Sequence, residues 1–182
     1  MNVKVLDLST WYVAISAYAS LGAVACALLV VWLQNRSARR LLGFQLFAQM
    51  ATQYDSQEML QARSRLADTL LADEASLDVD ETVLMHYENL ALLVRRRLID
   101  RQLVWNIYSY DAPRYWFALS SYIRAFREKY SEPSYLEEFE GMVKWLNSIK
   151  RSPLGTRLHP REFTSNDLRD FLRTESNRAA TR

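Results

Sequence analysis

Between Asp7 and Arg36 the chain carries no charged side chain, and no other feature restricts its fold as much. Within that gap Trp11 to Leu33 reads WYVAISAYASLGAVACALLVVWL. Coiled as an α-helix, a run of about 23 residues spans roughly 34 Å. The hydrocarbon core of a bilayer is about 30 Å thick, so the run reaches across with room for tilt. Lipid offers the backbone no water, and a crossing segment therefore takes the helical form that pairs its amides internally. The sequence predicts a transmembrane helix over residues 11–33 within an N-terminal segment, 1–35. Trp11 and Tyr12 at one end and Trp32 at the other suit the headgroup level.

A cleaved signal peptide fits less well. It wants a shorter apolar core and a positive start, and Asp7 spoils the second requirement. Cleavage at the Ala23-Val24-Ala25-Cys26 stretch would leave strongly apolar residues exposed behind it. Lys4 and Asp7 cancel before the apolar run, whereas Arg36, Arg39 and Arg40 follow it with no acid until Asp55. Basic excess marks the cytoplasmic side, which predicts the N-terminus outside and the following domain in the cytoplasm. The three arginines are also candidate membrane-surface contacts. Ala19, Ala23 and Ala27 repeat every fourth residue, a small-residue face on which two such helices could pack into a homo-oligomer.

Past Leu33 the pattern becomes amphipathic and helical. Glycine and proline number four each, and no run alternates at period two as strands do. Asp55 and Glu58 have the spacing of a helix start, ahead of a stripe through Met59, Ala62, Leu66 and Leu70. Residues 73–80 form an acidic connector. Val83, Tyr87, Leu90 and Val94 then mark a helix packed into a core. Asp100 and Asp111 suit the caps of two further helices, with Pro113 tolerated in the first turn of the second. Tyr115, Leu119, Tyr122 and Phe126 line that second helix. Pro133 breaks the chain, and Tyr135, Phe139, Met142, Leu146 and Ile149 line the last long one. Five or six amphipathic helices over residues 36–150 read as an α-helical bundle, so the fold class is all-α with one N-terminal transmembrane helix. Residues 151–182 read as a basic polar tail with one short helix near Asn166 to Arg173.

The stretch from Tyr87 to Tyr122 (YENLALLVRRRLIDRQLVWNIYSYDAPRYWFALSSY) resembles the DUF4760 family of bacterial proteins. YDSQEMLQARSRLADTLL upstream and YLEEFEGMVKWL downstream look like the same family. The likeness covers most of residues 40–147. It departs at Arg96-Arg97, where members usually show Arg-Gly before Leu-Ile-Asp. The resemblance implies a bacterial inner-membrane protein with an anchoring helix and a helical domain. It implies no activity.

Residues with catalytic potential are few. His86 and His159 are the only histidines and lack companions at metal-ligand spacing, so His86 reads as a surface or rim residue and His159 as exposed in a loop. Glu137, Glu138 and Glu140 read as the wet face of their helix. No nucleophile elbow, P-loop, zinc-protease or nucleotide-binding signature occurs. The single cysteine, Cys26, rules out a disulfide within the chain. A net charge of +2 announces no nucleic acid. No cofactor or metal is expected, and no enzyme.

The aromatic residues between Trp105 and Tyr122 are the least ordinary feature. Trp105, Tyr115, Trp116 and Tyr122 fit a core, although a ligand groove is the rival reading. Tyr110 and Phe117 fall off the inner stripe and form a candidate partner patch. The sequence thus reads as a membrane-tethered binding or scaffolding module, in contact with the bilayer and a protein partner. The rival is a self-assembling effector that perturbs the bilayer through its transmembrane helix.

Overall fold

The computed structural model describes residues 3–72, 79–149 and 163–178, and every regular element among them is an α-helix. In order these are α1 (Val3–Tyr54), α2 (Gln57–Leu71), α3 (Thr82–Arg95), α4 (Arg101–Tyr108), α5 (Asp111–Ala118), α6 (Ser120–Tyr130), α7 (Glu137–Ser148) and α8 (Ser165–Arg178). The chain divides into two units, Met1–Leu42 and Gly43–Arg182.

The first unit is helical from Val3 and continues as α1 without a break. Large apolar side chains from Trp11 through Leu42 are exposed on every side of it. Among the described residues α1 is the one helix long and apolar enough to cross a membrane. A soluble surface helix would show one apolar stripe instead.

The second unit begins at Gly43 rather than at residue 36 as expected. Leu41 and Leu42 are exposed, whereas Gly43 and Phe47 are buried, so core-facing positions start seven residues later than the charge pattern suggested. A Cβ at Gly43 would overlap the main-chain carbonyl oxygen of Leu98, and only glycine lets the two segments approach this closely. That carbonyl belongs to the turn that ends α3. There the Leu98 N–H donates to Leu93 O at 3.0 Å and the Arg97 N–H donates to Val94 O at 3.0 Å. This is the double bond pattern of a left-handed helix stop, and Arg97 occupies its left-handed position at φ 58°. Position 97 is therefore one that glycine suits.

Local sequence signals set most of the other boundaries. Asp100 caps α4, its carboxylate accepting from the Gln102 N–H at 2.6 Å. Ser56, rather than the expected Asp55, caps α2 by accepting from the Met59 N–H at 3.2 Å. The helix expected from Asp111 to Tyr130 is two helices, interrupted at Leu119 where φ −95° and ψ 0° depart from helical values. α7 begins after Leu136, which sits at φ 58° and offers no side-chain acceptor. Glu88 of α3 supplies it from outside, accepting from the N–H groups of Phe139 at 2.7 Å and Glu138 at 3.3 Å. Burial raises the Glu88 carboxyl above its ordinary value, and these two amides work against the rise.

The core joins Phe47 and Tyr54 of α1 to the inner faces of α2, α3, α5 and α7. Tyr87 stacks on Phe139 at 4.9 Å, and Trp116 meets the same ring edge-on at 5.3 Å. Tyr115 and Tyr122 are buried, while Trp105 and Trp116 pack against the core from its rim. Residues 163–178 are no polar tail. α8 packs along α2 with Phe171, Leu172 and Glu175 buried, and it runs beyond the short helix expected at Asn166 to Arg173. Thr164 and Asp167 bond reciprocally at its start, and at its far end the burial of Glu175 carries the helix past Arg173 to Arg178. Most of the acidic connector (73–78), the segment holding Pro153 and Gly155, and His159 lie outside the described residues.

Two substitutions test these constraints. Gly43→Ala lowers stability by about 1–3 kcal/mol, because the overlap with Leu98 exceeds the gain in helix propensity. Arg97→Gly raises stability by about 1 kcal/mol by removing left-handed strain. Urea melts of the full chain in detergent measure both.

Candidate functional site

Arg63 lies on the same face of α2 as Met59, Ala62 and Leu66, and that face is buried. Its side chain is 1% exposed, which obliges the fold to bring it partners. Glu175 of α8 is fully buried against it. The Arg63 Nε–H donates to Glu175 Oε2 at 2.7 Å. Nη2 lies 2.6 Å from the same oxygen, close enough for an ion pair but not aligned as a second hydrogen bond. The Tyr115 hydroxyl of α5 donates to Glu175 Oε2 at 2.6 Å and accepts from Arg63 Nε at 3.3 Å.

A second carboxylate stands behind the first. Asp111 Oδ2 is 3.7 Å from Arg63 Nη2 and accepts from the Tyr54 hydroxyl at 2.9 Å. The Tyr54 and Tyr87 hydroxyls are 2.8 Å apart, and the Arg63 guanidinium lies 4.2 Å from the centre of the Tyr54 ring. Asp111, expected as the cap of α5, sits instead inside its first turn and turns its carboxylate into the core. α1, α2, α3, α5 and α8 thus meet at one polar junction.

Burial by itself disfavours the Arg63 charge, but Tyr54, Tyr115 and Glu175 outweigh it and hold the guanidinium above its ordinary value. Burial, and then the Glu175 charge, push the Tyr115 hydroxyl well up. Burial does the same to Tyr87. These tyrosines keep their protons at any physiological pH. The junction is suited to gripping a carboxylate on α8 through charge-assisted bonds, which are short and strong. Phe171 and Leu172 add roughly 3–6 kcal/mol of apolar burial to the same helix.

His86 was expected at the surface or rim and is buried, 3% exposed. Its position three residues after Val83 and four before Leu90 places it on the inner face of α3. Its ring lies 5.2 Å from Tyr54, 5.7 Å from Tyr87 and 5.9 Å from Tyr108, and neither nitrogen meets a hydrogen-bond partner. Burial, assisted by the Arg63 charge, lowers its pKa to about 4, so it is neutral at pH 7.

The other residues singled out from sequence stand elsewhere. Arg36, Arg39 and Arg40 are exposed on α1, with Arg36 5.4 Å from the Trp32 ring. Ala19, Ala23 and Ala27 are exposed on the same helix. Tyr110 is 55% and Phe117 40% exposed, and both border α8 and the residues that lead into it. Tyr110 lies edge-on to Phe171 at 6.4 Å and Phe117 lies 5.4 Å from Phe163. Glu137 is exposed on the wet face of α7. Glu138 pairs with Arg95 at 2.6 Å and Glu140 with Arg127 at 2.9 Å, so these two acids are cross-links between helices. Among the described residues no three His, Cys, Asp or Glu side chains gather as a metal site.

One long apolar helix leading into an α-helical bundle pinned by a buried arginine defines the class of this protein. Its sequence then assigns the family. The chain belongs to DUF4760, a domain of unknown function whose model matches residues 14–145. No curated protein and no solved structure matches it. Arg63, Asp111 and Tyr115 lie inside the matched region, whereas all of α8, with Glu175, lies beyond it.

Arg63→Met leaves Glu175 and Asp111 without their shared cation and costs about 3 kcal/mol. Adding Glu175→Leu recovers part of that loss, which a double-mutant cycle in urea measures. For His86 the unfolded ring binds a proton near 6.5 and the folded ring only near 4. Its contribution is complete above the unfolded value, and about 3 kcal/mol is lost as pH falls through that window. His86→Leu flattens the fall in melting temperature between pH 7 and pH 4; an unchanged slope would show that the ring titrates normally.

Proposed function

We propose that this protein is a single-pass protein of the bacterial inner membrane that holds its helical domain at the cytoplasmic surface as a non-catalytic binding module. The observation that carries the reading is the first unit, which bears no charge between Asp7 and Arg36 and whose described large apolar side chains from Trp11 to Leu42 stand exposed. Water would oppose that surface by roughly 25 cal/mol for each Å² left uncovered, and a bilayer removes the penalty. Arg36, Arg39 and Arg40 then lie just inside, where each contributes about 1 kcal/mol of attraction to anionic headgroups.

Tethering is the mechanism. Confining a domain to one surface raises its effective concentration for a partner on that surface without any new contact. The polar junction supports binding rather than catalysis, since its tyrosines are held protonated and its carboxylates are engaged by Arg63. Tyr110 and Phe117 supply an exposed aromatic edge of the kind that anchors partners. On this reading the module needs no cofactor and no nucleic acid, and its partner is a protein.

Fractionation with alkaline carbonate tests the anchor. The full chain stays in the membrane pellet and the chain lacking residues 1–35 moves to the supernatant. A full chain extracted by carbonate overturns the reading. Protease added outside spheroplasts leaves the domain intact if the topology is as proposed, and digests it if inverted.

A further inference from the structure

The turn that closes α3 carries Arg95, Arg96, Arg97 and Arg101, all exposed. Only Arg95 has a carboxylate, pairing with Glu138 at 2.6 Å. Among the described residues Arg96 and Arg97 form no ion pair and no side-chain hydrogen bond. Arg101 lies 5.3 Å from the Trp145 ring, which steadies its guanidinium without neutralising it. Asp100 turns its carboxylate to the Gln102 N–H at 2.6 Å, and the turn stays strongly positive with that acid counted. A helix C-terminus favours nearby cations, but this does not account for Arg97. Its φ of 58° is one that glycine adopts freely and arginine only under strain, so a charge is held there against the preference of the backbone. Strain of this kind gathers at functional sites.

The direction of α3 places the turn. Tyr87 meets Tyr54 at 5.9 Å, and the Leu98 carbonyl lies against Gly43. α3 therefore runs antiparallel to the last part of α1, back toward Gly43, where the chain enters the second unit. Leu98, among the arginines, is 36% exposed, and Phe44, next to Gly43, is 60% exposed.

We propose that the turn from Arg95 to Arg101 is a second membrane contact, which docks the helical domain on anionic phospholipid headgroups. Guanidinium groups match phosphate in charge and in bidentate geometry. Leu98 and Phe44 offer apolar side chains for the boundary between headgroups and acyl chains. The reach is sufficient. From Leu33 to Gly43 is about 15 Å of helix, of which the headgroup layer takes up roughly 5–8 Å. The length of an arginine side chain, with helix tilt, covers the rest. Nucleic acid would also suit guanidinium groups, but the exposed Leu98 and the place of the turn beside Gly43 favour lipid. Arg36, Arg39 and Arg40 follow the anchor on the same helix and act however the domain is turned. The α3 turn belongs to a separate element, and its contact fixes which end of the domain meets the membrane. This inference rests on the tethered reading above and gives the tether an orientation.

Arginine modification by phenylglyoxal, read by peptide mass spectrometry on the unaltered full chain, tests this without depending on a variant. The chain is placed in nanodiscs of phosphatidylcholine, or of phosphatidylcholine with about a third replaced by phosphatidylglycerol. The anionic lipid slows modification of Arg96, Arg97 and Arg101 at least about fivefold relative to Arg124, an exposed arginine of α6. Salt at about 0.5 M removes the difference. Equal rates in the two discs overturn the proposal, and so does a slowing that Arg124 shares. Stronger protection by an RNA oligonucleotide in phosphatidylcholine discs than by phosphatidylglycerol overturns it as well. Arg97→Gly, which relieves the backbone, combined with Arg96→Gln returns the Arg101 rate to within about twofold of its value in neutral lipid. An undiminished slowing at Arg101 in that variant overturns the assignment. The two readings fail separately: a carbonate-resistant chain with lipid-independent labelling keeps its anchor and loses the second contact, whereas a chain that carbonate extracts has no anchor to orient.

Discussion

A guanidinium with almost no access to water is the constraint around which the second unit is arranged. Leaving an arginine charge buried and unpaired is far more costly than any single apolar contact is favourable. Arg63 therefore requires a carboxylate, and the chain meets the requirement from two directions, Asp111 within α5 and Glu175 from α8. Satisfying those carboxylates in turn draws in Tyr54, Tyr87 and Tyr115. A buried ion pair of this kind adds little net stability compared with a well-packed apolar substitute. What it fixes is register, since Arg63 meets an α8 carboxylate only where Glu175 falls.

Around that junction the ordinary packing of rings and aliphatic side chains supplies the bulk of the cohesion. Tyr87 stacked on Phe139 and the edge-on rings of Tyr54 and Tyr108 fill the space between α1, α3, α4 and α7. His86 sits among these rings as a neutral heterocycle. Glu88 caps α7 from a neighbouring helix where the local sequence provides Leu136 in place of a capping side chain. Several of the charges that composition would assign to the surface are thus structural, and they connect elements distant in sequence.

Much of this architecture was legible in advance. The charge-free run declared an apolar helix, helical spacing placed Met59, Leu66, Val83, Leu90, Phe139 and Leu146 in the core, and Asp100 announced α4. The same spacing also held signals that residue type concealed. Arg63 lies four residues after Met59 and three before Leu66, on the buried stripe. Glu175 follows Phe171 by four and Leu172 by three. His86 falls between Val83 and Leu90. Reading charged and titratable residues as solvent-facing placed His86 and the C-terminal tail wrongly, although their register pointed inward.

The sequence alone determined the all-helical class, the apolar length of α1 and the family, because these depend on local periodicity and composition along a continuous stretch. It could not decide which inward-facing charges would meet. Arg63 and Glu175 are separated by 112 positions, and no local rule links them. Their pairing, the burial of α8 and the inward turn of Asp111 were decided by tertiary structure, since only the closed bundle excludes the water that would otherwise solvate each charge separately.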